Sequence, residues 1–244
     1  QNWWGPVGEE CKRLRAHAGI IDISNFAKYR CKGPGAEDWL NAVFANKMPS
    51  EVGRSGLTPL IGVHGGIAGD ATVTKLAEDE YWIISSGMAE RYQKRFYDMV
   101  PLPLGPTFES MTEAMCGFNV AGPKSQLRLW GALIAAGKEL GAGPVGSRAL
   151  MSLRIEKGYG SWSREYSPEY WPQEVGIERL CKLDKDFLHK AAVAEAMGKP
   201  AREELVILAL NEADVAASNA DATGGEPRFK DGEPLGRVSA GAYG

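Results

Sequence analysis

The stretch HGGIAGDATVTKL, residues 64–76, sets two adjacent glycines and a lone aspartate ahead of an alternating β-rich run. A carboxylate presented at the end of such a turn could serve as an acid–base group. Turn chemistry accounts for Gly65 and Gly66, and alternation accounts for residues 71–76. Neither requires Asp70. By residue type alone Asp70 reads as a turn residue or a local cap, with acid–base chemistry as the sharper alternative.

The other chemistry-bearing patterns are weaker. GAGPVG, Gly141 to Gly146, has the dinucleotide spacing G-x-G-x-x-G, but that fingerprint needs a preceding strand and a full set of backbone N–H donors. A helical pattern precedes it and Pro144 removes one donor, so it reads as a helix-to-helix loop and not as a flavin or nicotinamide site. His17, His64 and His189 have no second ligand at i+3 or i+4, which argues against a metal centre; His64 reads as a solvated turn residue. No G-x-S-x-G elbow is present, so a serine hydrolase has no support. Cys31 and Cys116 fall in strand-like runs and read as buried, inert thiols. The aromatic stretch YGSWSREYSPEYWP, 159–172, reads as core packing, or as a wall on which a flat heterocycle could stack.

These residues must be positioned by a mixture of helices and strands. Residues 6–18 have helical spacing, with Pro6 suited to a first turn and Gly19 ending the pattern. AKYRCK alternates as a strand with one wet face, and AEDWLNAVFAN carries an apolar helical stripe. LTPLIGV, ATVTKLA and YWIISS are three β-rich runs. MAERYQKRFYDMV reads as an amphipathic helix, GFNVAG as a short strand, and QLRLWGALIAAGKEL and RALMSLRIEKGYG as helices. From REELVILALN onward the pattern turns β-rich, ending in a hairpin about Asp231-Gly232. Helices mixed with mostly antiparallel strands predict an α+β fold, with a domain boundary near Lys199-Pro200 that separates 1–199 from 200–244.

The totals bound the possibilities. The chain has 244 residues, 44% of them apolar and 24% charged, with 28 basic and 31 acidic side chains. This is globular composition with no electrostatic footprint for nucleic acid or an anionic membrane. No apolar run approaches the roughly 20 residues of a membrane span. Cys11, Cys31, Cys116 and Cys181 lie far apart without C-x-x-C spacing, which predicts a reduced compartment and no zinc site. The opening QNWWGPVGEE, without an initiator methionine, reads as the start of an internal piece of a longer polypeptide.

Seven stretches taken together resemble the aminomethyltransferase family, the T-protein of the glycine cleavage system and its relatives. They are AGIIDIS (18–24), FAN (44–46), GGIAGDATV (65–73), GFNVAGPKS (117–125), SLRIEKGYG (152–160), QEVGI (173–177) and LDKDFL (183–188). They occur in family order across most of the chain. Asn25 where T-proteins usually carry histidine, with RALMSLRIEKG and YSPEYWPQEVG, looks more like the folate-dependent half of dimethylglycine and sarcosine dehydrogenases.

The resemblance implies a T-protein-like, multi-subdomain folate-binding fold, continuing into the first part of a C-terminal β-barrel over 200–244. It implies capture of the methyl-derived carbon of an N-methyl amine as 5,10-methylenetetrahydrofolate. Tetrahydrofolate is the implied cofactor, and FAD belongs to an N-terminal domain not present in this chain. The alternatives are a glycine cleavage aminomethyltransferase, a folate-dependent demethylase of another small methylated compound, and a non-enzymatic folate-binding assembly module. Relatives of the last kind carry a mid-chain cysteine signature that is not seen here. Asp70 matches the family's acidic residue beside the reactive pterin nitrogens. Tyr159 and Glu156 match folate-pocket positions, and Arg148 is a partner for the glutamate tail. The family setting implies a cytoplasmic protein in a bacterium, or a mitochondrial-matrix one in a eukaryote, and a homo-oligomer as one assembly state.

Two departures stand out. A long stretch with a TGE-type motif is expected between Ser125 and Gln126, and the natural chain is expected to carry it. Relatives also continue beyond SAGAYG through the rest of the barrel.

Overall fold

A computed structural model describes residues 3–122, 143–210 and 224–242. The chain forms two compact units, each discontinuous in sequence: Ser24–Cys116 with Ser161–Leu205, and Gln1–Ile23 with Gly117–Gly160 and Val206–Gly244. The architecture is α+β with predominantly antiparallel pairing.

The first of these units is built on a five-stranded antiparallel sheet. Its strands are β2 (Ala27–Lys32), β3 (Ser55–Ile61), β4 (Ile67–Ala77), β5 (Glu80–Ser85) and β6 (Thr107–Ser110), in the spatial order β3-β4-β5-β2-β6. Alternation sends Tyr29 and Cys31 of β2, Ala71 and Val73 of β4, and Tyr81 and Ile83 of β5 into one core. Helices α2 (Ala36–Val43) and α3 (Glu90–Met99) supply its other wall through Trp39, Leu40, Val43, Phe96 and Tyr97. Each large apolar side chain removed from water here contributes about 1.5–3 kcal/mol.

Glu37 and Asp38 in the first turn of α2 suit the positive end of the helix dipole. Glu37 also accepts hydrogen bonds from the Tyr81 hydroxyl at 2.5 Å and from the buried Lys75 amine at 3.2 Å. The helix is thereby tied to β4 and β5. Residues 161–205 add two short 3-10 turns and α5, the helix Lys190–Met197, counted after α4 of the other unit.

The second unit packs α1 (Trp4–Ala16) against α4 (Ser147–Glu156) through Val7, Cys11, Val145 and Ala149. Beside them β1 (Gly19–Asp22) pairs antiparallel with β7 (Phe118–Ala121) and parallel with β8 (Gly143–Pro144). A hairpin of β9 (Pro227–Lys230) and β10 (Glu233–Arg237) turns at Asp231 and Gly232, with φ of 53° and 86°. Two positive φ values are what a type I′ turn needs and what an Asp-Gly pair tolerates.

Several local expectations change. Residues 201–210 form no strand, and among the described residues of the C-terminal stretch only the β9–β10 hairpin pairs, so no closed barrel is present there. Strands β1 and β6, each four residues, carry too little alternation to be read from sequence. Cys116 precedes β7 and is exposed, unlike the buried Cys11, Cys31 and Cys181. Within the GAGPVG match, residues 143–144 form β8, and the Glu10 carboxylate accepts the Gly146 N–H at 3.0 Å. A carboxylate thus occupies the start of α4. The helix expected over 126–140 lies outside the described residues, as does the Ser125–Gln126 junction.

Candidate functional site

Asp70 does not sit in the turn. The turn closes between Gly62 and Gly66, where the Gly62 N–H donates to the Gly66 carbonyl at 2.8 Å, and Asp70 stands inside β4 opposite Pro59 of β3. A register shift at Leu60/Ile61 marks a bulge just before it, a device that re-aims side chains.

Its two neighbours on the strand face the helices. A Cβ on Gly69 would lie 2.4 Å from the Gln93 amide nitrogen of α3, and Ala71 belongs to the core and pairs with Ser85. Alternation then turns the Asp70 carboxyl to the opposite face of the sheet.

The glycines before it serve the protein's own packing. Gly65, at φ +79°, would place a Cβ 2.6 Å from the Ala192 carbonyl oxygen of α5, and Gly66 would place one 2.2 Å from that of Pro168. What the glycines admit is the backbone of residues 168 and 192.

Electrostatically Asp70 differs from Glu80, Glu174, Asp184 and Glu195, whose carboxyls are all held below their ordinary values. Burial pushes its carboxyl up from 3.8 to about 6, and a bond from its own backbone amide offsets only part of that. Among the described residues no cation pairs with it. A half-buried carboxylate without a positive partner can accept from an N–H donor, and a raised pKa lets it exchange a proton near neutral pH.

Tyr159, Glu156 and Arg148 lie in the other unit, at and just beyond α4. Tyr159 is 65% exposed, and its carbonyl accepts from Arg154 at 2.6 Å, which fixes the backbone beneath an open ring. Glu156, the last residue of α4, forms an ion pair with Arg15 of α1. The Arg148 guanidinium lies over the Trp3 ring, 4.4 Å from its centroid. Of the aromatic stretch, Tyr166 packs with Ile67, Val175 and Ile177, and Trp162 stacks on Tyr92 of α3. Of its aromatic rings Tyr166 is core, while Trp162, Tyr170 and Trp171 are half-buried.

A cluster in QEVGI went unread from the sequence. Glu174 is 2% exposed and accepts from the Arg202 guanidinium at 2.7 and 2.8 Å and from the Trp171 and Arg202 backbone amides. Arg202 also stacks on Trp171 at 4.1 Å. These bonds hold the Glu174 carboxyl down at about 2. Glutamate and arginine 28 positions apart carry no sequence signal of pairing.

The sequence model of the GCVT N-terminal domain matches residues 1–127 and 125–185. The chain belongs to that family. The two matches overlap at 125–127, the junction where a segment was expected. Mouse mitochondrial dimethylglycine dehydrogenase is 25% identical over 299 aligned positions that take in 99% of this chain. The chain spans only 34% of that relative's length. An aminomethyltransferase of Saccharopolyspora erythraea is 29% identical over 81% of this chain and 68% of its own length. The crystal structure of the glycine cleavage system aminomethyltransferase T from Bartonella henselae matches 98% of this chain and 78% of that one, with a TM-score of 0.75 at 16% identity. That likeness establishes a shared fold.

Proposed function

We propose that this family member carries out tetrahydrofolate-dependent one-carbon transfer, with Asp70 as its general base. The observation that carries the proposal is the half-buried carboxyl of Asp70, raised to about 6 with no cation beside it among the described residues, in a chain of the GCVT family. Tetrahydrofolate, when bound, supplies a nucleophilic nitrogen for an electrophilic one-carbon unit. Asp70 accepts a hydrogen bond from that N–H group and takes up the proton released as the new C–N bond forms. Ionised at neutral pH yet basic enough to hold a proton, it suits both roles. The family resemblance adds Tyr159, Glu156 and Arg148 as folate contacts.

The finer reading is an N-methyl amine of dimethylglycine or sarcosine type as carbon donor, with 5,10-methylenetetrahydrofolate as product. It is supported by alignment to dimethylglycine dehydrogenase across nearly the whole chain. In that reading an FAD domain elsewhere in the polypeptide oxidises the amine. The second reading, an aminomethyltransferase of glycine cleavage type, is favoured by the 29% identity to the Saccharopolyspora protein.

Anaerobic calorimetric titration with tetrahydrofolate tests the shared core, and stoichiometric binding is expected. Absence of binding would overturn it. Product analysis with each amine then separates the two readings.

A further inference from the structure

The face of β4 turned away from the Asp70 carboxyl meets polar atoms that this chemistry leaves unused. Gln93 is 1% exposed, yet neither its amide nitrogen nor its amide oxygen has a hydrogen-bond partner. The hydroxyls of Ser85 and Tyr97, also buried, lie close enough to interact with each other and have no other partner. Gln93 and Tyr97 are four residues apart on α3 and share one helix face. Ser85 pairs with Ala71, and the Gln93 amide lies against Gly69. The polar groups therefore meet the two residues that flank Asp70, and Ser85 lies within interaction range of the Tyr97 hydroxyl.

A buried polar atom left unpaired gives up its bond to water for nothing, and several together would offset much of a domain's marginal stability. The surroundings are otherwise apolar: Phe96, Ala71 and Ile83 belong to the same core, and methionine and phenylalanine would fill the places of Gln93 and Tyr97 without that cost. The chemistry of the set selects its occupant. An amide offers two donors and an acceptor, and each hydroxyl can donate or accept. This suits water, which makes about three hydrogen bonds when buried.

We propose that Ser85, Gln93 and Tyr97 enclose an internal hydration site, where ordered water bridges α3 to β4 and β5 and fixes the backbone on both sides of Asp70. The hydration site stands on packing alone, and its importance for Asp70 rests on the functional reading above.

Near-isosteric variants of the full chain test it. Gln93→Met and Tyr97→Phe should each lower the melting temperature by several degrees. The double variant should lose less than the sum, because the first loss already disorders the shared water. A high-resolution crystal structure should show water within hydrogen-bond distance of the Gln93 amide and at least one hydroxyl. If Gln93→Met is neutral or stabilising, or if density shows the three side chains bonded directly without water, the site is overturned.

The hold on Asp70 has its own readout. The stability difference between each background and its Asp70→Asn counterpart, followed from pH 4 to 8, reports the ionisation of Asp70. Tyr97 is the titratable group coupled to Asp70 from α3, and Tyr29 and Glu90 couple to Tyr97 in turn. Gln93→Met should move the midpoint, and an unmoved midpoint overturns the bracing role. None of these measurements uses folate, so a failed folate titration would sink the functional reading and leave the hydration site standing.

Discussion

Asp70 and Glu174 are carboxylates of the same unit, and the protein treats them in opposite ways. Glu174 is enclosed with an arginine and two backbone amides, which drive its carboxyl down to about 2. Asp70 is half-buried with its own amide and, among the described residues, no cation, and the loss of water contact drives it up to about 6. Glu174, the more deeply buried of the two, is the one that keeps its charge, so burial alone does not decide the outcome. Compensation does. A compensated carboxylate fastens residues 169–174 to the segment at Arg202, whereas an uncompensated one keeps its affinity for a proton and for an N–H donor.

Removing each carboxylate should break this contrast in a different currency. Asp70→Asn is expected to keep the fold and to lower folate-dependent turnover by about a hundredfold or more, the usual scale for a lost acid–base group. Steady-state kinetics checks this, and wild-type turnover would remove Asp70 from the mechanism. Glu174→Gln should leave chemistry largely intact but cost on the order of 2 kcal/mol, the range of a charged hydrogen-bond set with one half-exposed partner. Urea midpoints measure it.

The pH dependences should run in opposite directions. Asp70 has a raised folded pKa, so its contribution to stability is fully present below about 4 and is lost as pH rises through about 6. Asp70→Asn should therefore match wild type near pH 4 and exceed it at pH 8, by on the order of 2 kcal/mol. Glu174 has a depressed folded pKa, so its contribution is present above about 4.5 and is lost as pH falls toward about 2. Thermal unfolding across pH 3–8 for the two variants checks both signs.

Smaller effects sharpen the account of the glycines. Gly66→Ala drives a Cβ to 2.2 Å from a backbone oxygen, which must shift, whereas Gly69→Ala meets the end of the flexible Gln93 side chain at 2.4 Å. The first should lower stability clearly more than the second, which should cost about 1 kcal/mol. Equal losses would mean that the Pro168 backbone yields as easily as a side chain does.

Much of the fold was legible because its signals are local. The alternation of AKYRCK became β2, and the apolar stripes of AEDWLNAV and ERYQKRFYDM became α2 and α3. The Asp231-Gly232 pair turned a hairpin. Four-residue strands such as β6 and the irregular 161–180 segment were not legible, since their shape comes from what they pack against. At the site, the sequence singled out Asp70 by family resemblance but misread its place, taking an aspartate after glycines for a turn residue. Gln93 looked like any polar residue of an amphipathic helix until helical rotation put it on the inner face.

By itself, then, the sequence determined which residues form helices and strands, because hydrophobic period and turn chemistry act over a few residues. It determined the family as well, because motifs in order survive where identity has fallen to about a quarter. Only the tertiary structure decided that the space at the glycines before Asp70 is filled by the protein's own backbone, that Glu174 finds Arg202, and that Asp70 finds no cation among the described residues. Those outcomes depend on which distant groups arrive beside a carboxylate and on how much water they displace. Both are properties of packing, which spacing along the chain does not encode.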